Sequence, residues 1–143
     1  MQTAAPTLAA ELDARLIALW RTVGRFGRQD LSRTSASVLA ALRDGGPQRV
    51  TTLALAESIA QPSMTTLLSR LERDGLVERG SDPADARAVL VTITAEGLER
   101  LMRIRDARAA AIEARLAELD PADRDAIAAA IPALAKLTGE ARP

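Results

Sequence analysis

The 143-residue sequence contains no cysteine and no histidine. The first absence excludes disulfides, thiol nucleophiles and cysteine redox sensing. The second removes the commonest metal ligand and general base, which leaves a zinc or iron centre without its usual donors. With no glycine-rich phosphate loop either, an enzyme is disfavoured. Aromatics are nearly missing: Trp20 and Phe26 are the only two, a scarcity that argues against β-sandwiches and barrels. There is no excess of either charge, with 19 basic and 19 acidic residues, so any DNA contact has to come from a local patch. No apolar run approaches the roughly 20 residues that cross a bilayer. The N-terminal stretch lacks a basic head followed by an apolar run, so the expected location is cytoplasmic, with no membrane partner.

What is present favours helices. Alanine accounts for 30 residues and arginine for 18, against the single Lys136. The arginines supply planar forks for phosphates or base edges, or reflect a GC-rich genome. The length suits one domain of the usual size of about 100–200 residues. Leu8, Leu12, Leu16, Leu19, Val23 and Phe26 advance by fours and threes, one stripe of a first helix ending near Gly27. Ser32, Thr34 and Ser35 offer N-caps before Val38, Leu39 and Leu42, and Asp44-Gly45-Gly46-Pro47 stops this short second helix.

Thr51 or Thr52 caps a third helix over Leu53–Ile59, and Gln61-Pro62 opens a fourth with Pro62 at its first position. Its inner face carries Met64, Leu68 and Leu71; Ser63, Thr65, Thr66, Ser69, Arg70 and Arg73 are left outside, and Gly75 is the C-cap. The period then falls to two. Val77-Glu78-Arg79 and the alternating Val89, Val91 and Ile93 predict a β-hairpin with a charged tip over residues 81–86. Thr94 caps a long helix with inward candidates Leu98, Met102, Arg105, Ala109, Ile112, Leu116 and Leu119, a heptad-like seam that wants a partner. Asp120-Pro121 starts the last helix, bearing Ile127, Ile131, Leu134 and Leu137, with a kink expected at Pro132.

Helix, helix, short turn, helix and hairpin is the order of a winged helix–turn–helix, whose later helix enters the major groove. A small helical domain with a decorative hairpin has the same order, so the detailed residues decide. Those residues are Gln61-Pro62-Ser63-Met64-Thr65, then Leu71-Glu72-Arg73-Asp74-Gly75-Leu76-Val77-Glu78-Arg79, then Asp82-Pro83 with Asp85-Ala86-Arg87, then Thr92-Ile93-Thr94 with Gly97. On them the sequence resembles the MarR family of bacterial transcription regulators from Leu31 to Gly97. Thr66 stands where the family often has arginine, and Ser32 where threonine is frequent.

The resemblance implies a mostly α fold with a small β-hairpin wing. A winged helix–turn–helix lobe over residues 31–93 would be flanked by N- and C-terminal dimerisation helices over 8–27 and 120–138, with a connecting helix over 94–119, all in one MarR-like domain spanning 1–143. It implies double-stranded DNA and a second copy of the chain as partners, and neither cofactor nor metal. DNA contacts would fall to Ser63, Thr65, Thr66, Ser69, Arg70 and Arg73 on the fourth helix, and in the wing to Arg87, oriented by Asp85 and reaching the minor groove. The plain alternative is a solvated helix face with Arg70 and Arg73 balanced by Glu72 and Asp74, and a hairpin-tip salt bridge worth under about 1 kcal/mol.

Leu8, Leu12, Leu16, Ile127, Ile131, Leu134 and Leu137 would form the dimer interface. Many family members are repressors released by small organic ligands, for which Trp20, Arg21 and Met102 are candidate lining residues; Trp20 in the core is the competing reading. Charge does not favour DNA uniformly. Residues 49–93 carry five arginines against six acids, while residues 15–33 carry five arginines against Asp30 alone. Two functions therefore stand at this point. One is a homodimeric, sequence-specific repressor on a pseudo-palindromic operator. The other is a helical interaction or ligand-buffering module that has kept the fold without DNA affinity.

Overall fold

The computed structural model describes residues 6–24 and 31–139. Phe26, Gly27 and the arginines at 25 and 28 lie outside the described residues. The elements run α1 (Leu8–Gly24), α2 (Arg33–Gly45), β1 (Gln48–Arg49), α3 (Val50–Ala56), α4 (Gln61–Arg73), β2 (Val77–Asp82), β3 (Asp85–Ile93), α5 (Ala95–Leu116) and α6 (Pro121–Leu137). They fall into two compact units, one up to Arg108 and one from Ala109.

The first unit is built on a small apolar core. Val38, Leu39 and Leu42 of α2 pack with Leu53 and Ala54 of α3, Met64, Leu68 and Leu71 of α4, Val77 and Val91 of the sheet, and Leu101 of α5. The 4-and-3 spacing of Met64, Leu68 and Leu71 keeps one face of α4 on this core, so its other face is held outward by packing alone. The helix boundaries follow local chemistry. Ser32 caps α2 by accepting the Ser35 N–H at 3.1 Å. Gly46 (φ 72°) and Gly75 (φ 74°) take the left-handed backbone that ends α2 and α4. Thr94 Oγ1 accepts the Gly97 N–H at 3.0 Å at the start of α5 and donates to the Gly75 carbonyl at 2.6 Å.

Four expectations need correction. The hairpin is part of a three-stranded antiparallel sheet in the order β1-β3-β2, because Gln48 and Arg49 pair with Val91 and Leu90. α3 begins at Val50 with Arg49 as its N-cap residue and no side-chain cap, since the strand pairing fixes the chain direction into the helix; neither Thr51 nor Thr52 is the cap. The inward face of early α5 is Gly97, Leu101 and Ile104, and Leu98 and Met102 are exposed. Close approach of Gly97 to the Leu76 carbonyl sets that phase, one residue earlier than the heptad reading. At α4 the helix begins at Gln61, so Pro62 is its second residue.

In the second unit Asp120 caps α6 by accepting the Asp123 N–H at 2.9 Å, and Arg124 reaches Glu113 at 3.6 Å. α6 runs on through Pro132 to Leu137 and buries no side chain among the described residues. Ile127, Ile131, Leu134 and Leu137 are exposed on it, as are Leu8 and Leu16 on α1, while Leu12 is half-buried.

Candidate nucleic-acid interface

The outward face of α4 presents Ser63, Thr65, Thr66, Ser69, Arg70 and Arg73, all exposed. Three hydroxyls bond back to the helix: Thr65 Oγ1 donates to the Gln61 carbonyl (3.0 Å), Thr66 Oγ1 to that of Pro62 (3.1 Å) and Ser69 Oγ to that of Thr65 (3.0 Å). Each of these hydroxyls therefore offers acceptor lone pairs outward, and Thr65 and Thr66 can rotate to donate. Ser69 is more committed, because Arg79 Nη2 of β2 donates to its Oγ at 3.0 Å and to the Thr65 carbonyl at 3.4 Å. Arg79 Nε also lies 3.4 Å from Glu72, an ion pair without a hydrogen bond. Arg79 is thus a strut between the wing and α4, a role the sequence reading did not assign.

Glu72 consequently pairs with Arg79, and Asp74 lies 3.4 Å from Arg73. The Arg73 pair is exposed on both sides, so it holds Arg73 weakly and a phosphate can displace the carboxylate. Among the described residues Arg70 makes no ion pair. Its guanidinium lines a cleft of about 360 Å³ with Ser63, Thr66 and Leu67 on one side and Ser32, Thr34 and Ser35 from the start of α2 on the other.

In the wing, Asp85 Oδ1 accepts the backbone N–H of Arg87 at 3.1 Å, and among the described residues no carboxylate pairs with the Arg87 guanidinium. Asp85 therefore sets the chain at Arg87 through its main chain and leaves the side chain outward, without the salt bridge of the plain alternative. The ion pair that is present is another one. Asp82 accepts the Ala84 N–H at 2.8 Å through Oδ1 and Arg49 Nε and Nη2 at 2.9 and 2.6 Å through Oδ2. The Ala84 N–H first, and Arg49 second, hold its carboxyl below the ordinary carboxylate value.

A lowered folded-state pKa means that the fold binds the ionised form. The contribution is present above the ordinary value of about 4 and is lost as pH falls through the lowered one. The Ala84 amide proton is expected to shift in NMR spectra only below about pH 4, with a midpoint under that of a model carboxylate. A midpoint at or above the model value would contradict this.

Away from α4, the half-buried Trp20 ring has two cations close to it, with the guanidinium carbon of Arg33 5.3 Å and that of Arg108 4.9 Å from its centroid. Trp20 is therefore not a fully buried core residue but one that makes cation–π contacts with two arginines. Arg21 and Met102 are exposed.

An exposed helix carried on a buried spine and flanked by a small sheet whose hairpin points an arginine outward defines a winged helix–turn–helix DNA-binding regulator. Known proteins agree. The MarR family model matches residues 31–89. An HTH-type transcriptional regulator of Mycobacterium bovis, Mb0904, is 31% identical over 134 residues, covering 93% of this chain and 94% of that protein. Among solved structures, the transcriptional regulator Tm0710 of Thermotoga maritima superposes with a TM-score of 0.72 at 25% identity, covering 91% of this chain and 95% of that one. The transcriptional repressor CouR, bound to a 23-mer DNA duplex, does so with a TM-score of 0.69 at 27% identity, covering 90% and 92%. The chain belongs to the MarR family of transcriptional regulators.

Proposed function

We propose that the protein is a homodimeric repressor that binds a pseudo-palindromic operator and is released from it by a small organic ligand. In this reading residues 31–93 are the DNA-binding lobe, 94–119 the connecting helix, and 8–27 and 120–138 the dimerisation helices of one domain. The observation that carries it is the pairing of two outward surfaces on one core: the Ser63, Thr65, Thr66 and Arg70 face of α4, and Arg87 on the wing beside it. Arg70 supplies a fork for a guanine edge, the hydroxyls bond to base edges or phosphates, and Arg73 exchanges Asp74 for a phosphate. Ser69, donating to the Thr65 carbonyl and accepting from Arg79, acts on DNA through its one remaining lone pair. Arg87, its backbone set by Asp85, enters the minor groove, where a narrow A·T tract concentrates negative potential.

The exposed apolar residues of α1 and, separately, those of α6 support dimerisation, since exposed apolar residues gathered on a helix of this kind mark an interface. CouR is named a repressor and is bound to duplex DNA, which supports the same mode here. For the ligand, Trp20 with the guanidinium groups of Arg33 and Arg108 close to its ring offers two cations beside an aromatic side chain, suited to an organic anion, with Arg21 and Met102 as outer lining.

Footprinting on DNA upstream of the coding region tests this. Two protected half-sites with centres about 34–36 Å apart are expected. Arg87→Ala is expected to weaken the complex about tenfold or more with the thermal midpoint unchanged, because a wing tip carries little core. Unchanged affinity would remove Arg87 from the interface.

A further inference from the structure

The Arg49–Asp82 ion pair has a place in the fold that the DNA-reading side chains do not explain. Arg49 is at once the last residue of β1 and the N-cap residue of α3, the first helix of the helix–turn–helix. In the sheet order β1-β3-β2 it lies across β3 from the strand that carries Asp82, and 33 residues separate the two in sequence. Asp82 ends β2 just after the ladder shifts register between Ser81 and Asp82, where it pairs with Asp85. Both its oxygens are used, one on the Ala84 N–H within the turn and one on two nitrogens of the same guanidinium. The Asp82 side chain is 10% exposed and that of Arg49 45%, so the carboxylate is the fixed end and the arginine spans to it over the sheet.

A two-stranded hairpin that protrudes past its sheet is marginal by itself, and a ladder irregularity is where it bends. This pair closes such an irregularity at the level of the turn. Asp85 follows one turn later and sets the Arg87 backbone. A chain of short contacts therefore leads from the start of α3, through Arg49 and Asp82, to the segment that bears Arg87.

We propose that Arg49 is a positioning residue for the wing: its pair with Asp82 ties the hairpin tip to the start of α3, so that α4 and Arg87 meet DNA in one fixed register. The proposal rests on the reading of Arg87 as the minor-groove arm. Arg49 itself does not touch DNA. Its effect on affinity is the ordering that binding would otherwise have to supply.

Four full-length proteins separate this from its competitors: the wild type, Arg49→Gln, Arg87→Ala and the protein carrying both substitutions. Each is titrated by fluorescence anisotropy onto the footprinted duplex at several salt concentrations, beside thermal unfolding followed by circular dichroism. Asp82→Asn is added because asparagine can still accept the Ala84 N–H while losing the charge that holds Arg49.

Arg49→Gln and Asp82→Asn are each expected to weaken binding about tenfold, with little change in unfolding midpoint. In the Arg87→Ala background Arg49→Gln is expected to cost less than about twofold, because there is no arm left to position. The salt dependence of Arg49→Gln is expected to match the wild type. A slope lower by about one would mean that Arg49 contacts a phosphate directly, and would overturn the proposal. So would full additivity with Arg87→Ala, or wild-type affinity in Asp82→Asn. If Arg87→Ala alone binds as the wild type does, the reading of the wing as a minor-groove arm fails; weakening by Arg87→Ala without weakening by Arg49→Gln overturns the positioning role alone.

Discussion

Gly97→Ala is expected to destabilise the first unit by about 3 kcal/mol or more, the largest stability loss anticipated for a one-carbon change in this chain. A β-carbon built at Gly97 would overlap the Leu76 carbonyl oxygen and lie 3.0 Å from its carbon and 2.9 Å from Ile93 Cγ1. The Ile93 side chain can rotate, but the carbonyl cannot easily withdraw. It accepts the Thr94 N–H at 3.1 Å, while the Leu76 N–H is bound to the Leu71 carbonyl at 2.8 Å. The adjoining Gly75 carbonyl is held by the Thr94 hydroxyl at 2.6 Å.

Relief therefore means lifting the start of α5 off the β2 entry and breaking the Thr94 cap. A fall of roughly 10 °C or more in the unfolding midpoint is the expected readout. Gly80→Ala is the matched control, since an added carbon there meets nothing within 4 Å. A Gly97→Ala midpoint within about 2 °C of the wild type would show that the α5–β2 contact is softer than its geometry indicates.

Leu134→Asp is expected to split the proposed dimer. Leu134 is 36% exposed in the single chain, on a helix that buries no side chain there, so the substitution costs the monomer little. In a two-fold interface it places one carboxylate on each side of an apolar contact. At about 2 kcal/mol per desolvated group this raises the dimer dissociation constant roughly a thousandfold. Sedimentation equilibrium is expected to give a monomer with an unchanged circular dichroism spectrum. DNA affinity should fall with it, since one lobe then binds one half-site without its tethered neighbour. A dimer that survives the substitution would place the interface elsewhere.

What could be read from the sequence was local. The α4 face follows from Met64, Leu68 and Leu71, whose spacing admits one phase only. The caps at Ser32, Thr94 and Asp120 are legible because donor and acceptor lie within three residues. α5 shows where periodicity fails: Gly97, Leu101, Ile104 and Leu98, Met102, Arg105 have the same spacing. The first set is inside because a missing side chain permits close approach, and an apolar pattern does not count a glycine. β1 escaped notice because two residues carry no period.

The wing divides in the same way. Asp85 and Arg87 are two apart and their link is local, whereas the ion-pair partner of Asp82 is 33 residues earlier. Trp20 likewise meets Arg33 and Arg108 from two other helices, and Arg79 reaches Ser69 from the neighbouring strand. Contacts of this kind depend on the assembled fold.

This chain is expected to recognise a DNA sequence. The most direct test is a titration of the intact protein onto a labelled duplex from the region upstream of its coding sequence, with excess unrelated competitor, at two salt concentrations. Half-saturation is expected at about 10⁻⁸ M or tighter, surviving the competitor and weakening steeply with salt. Binding no tighter than to competitor, for this duplex and for every fragment enriched from sheared genomic DNA, would contradict it and leave a winged helix that serves as an interaction or ligand-buffering module.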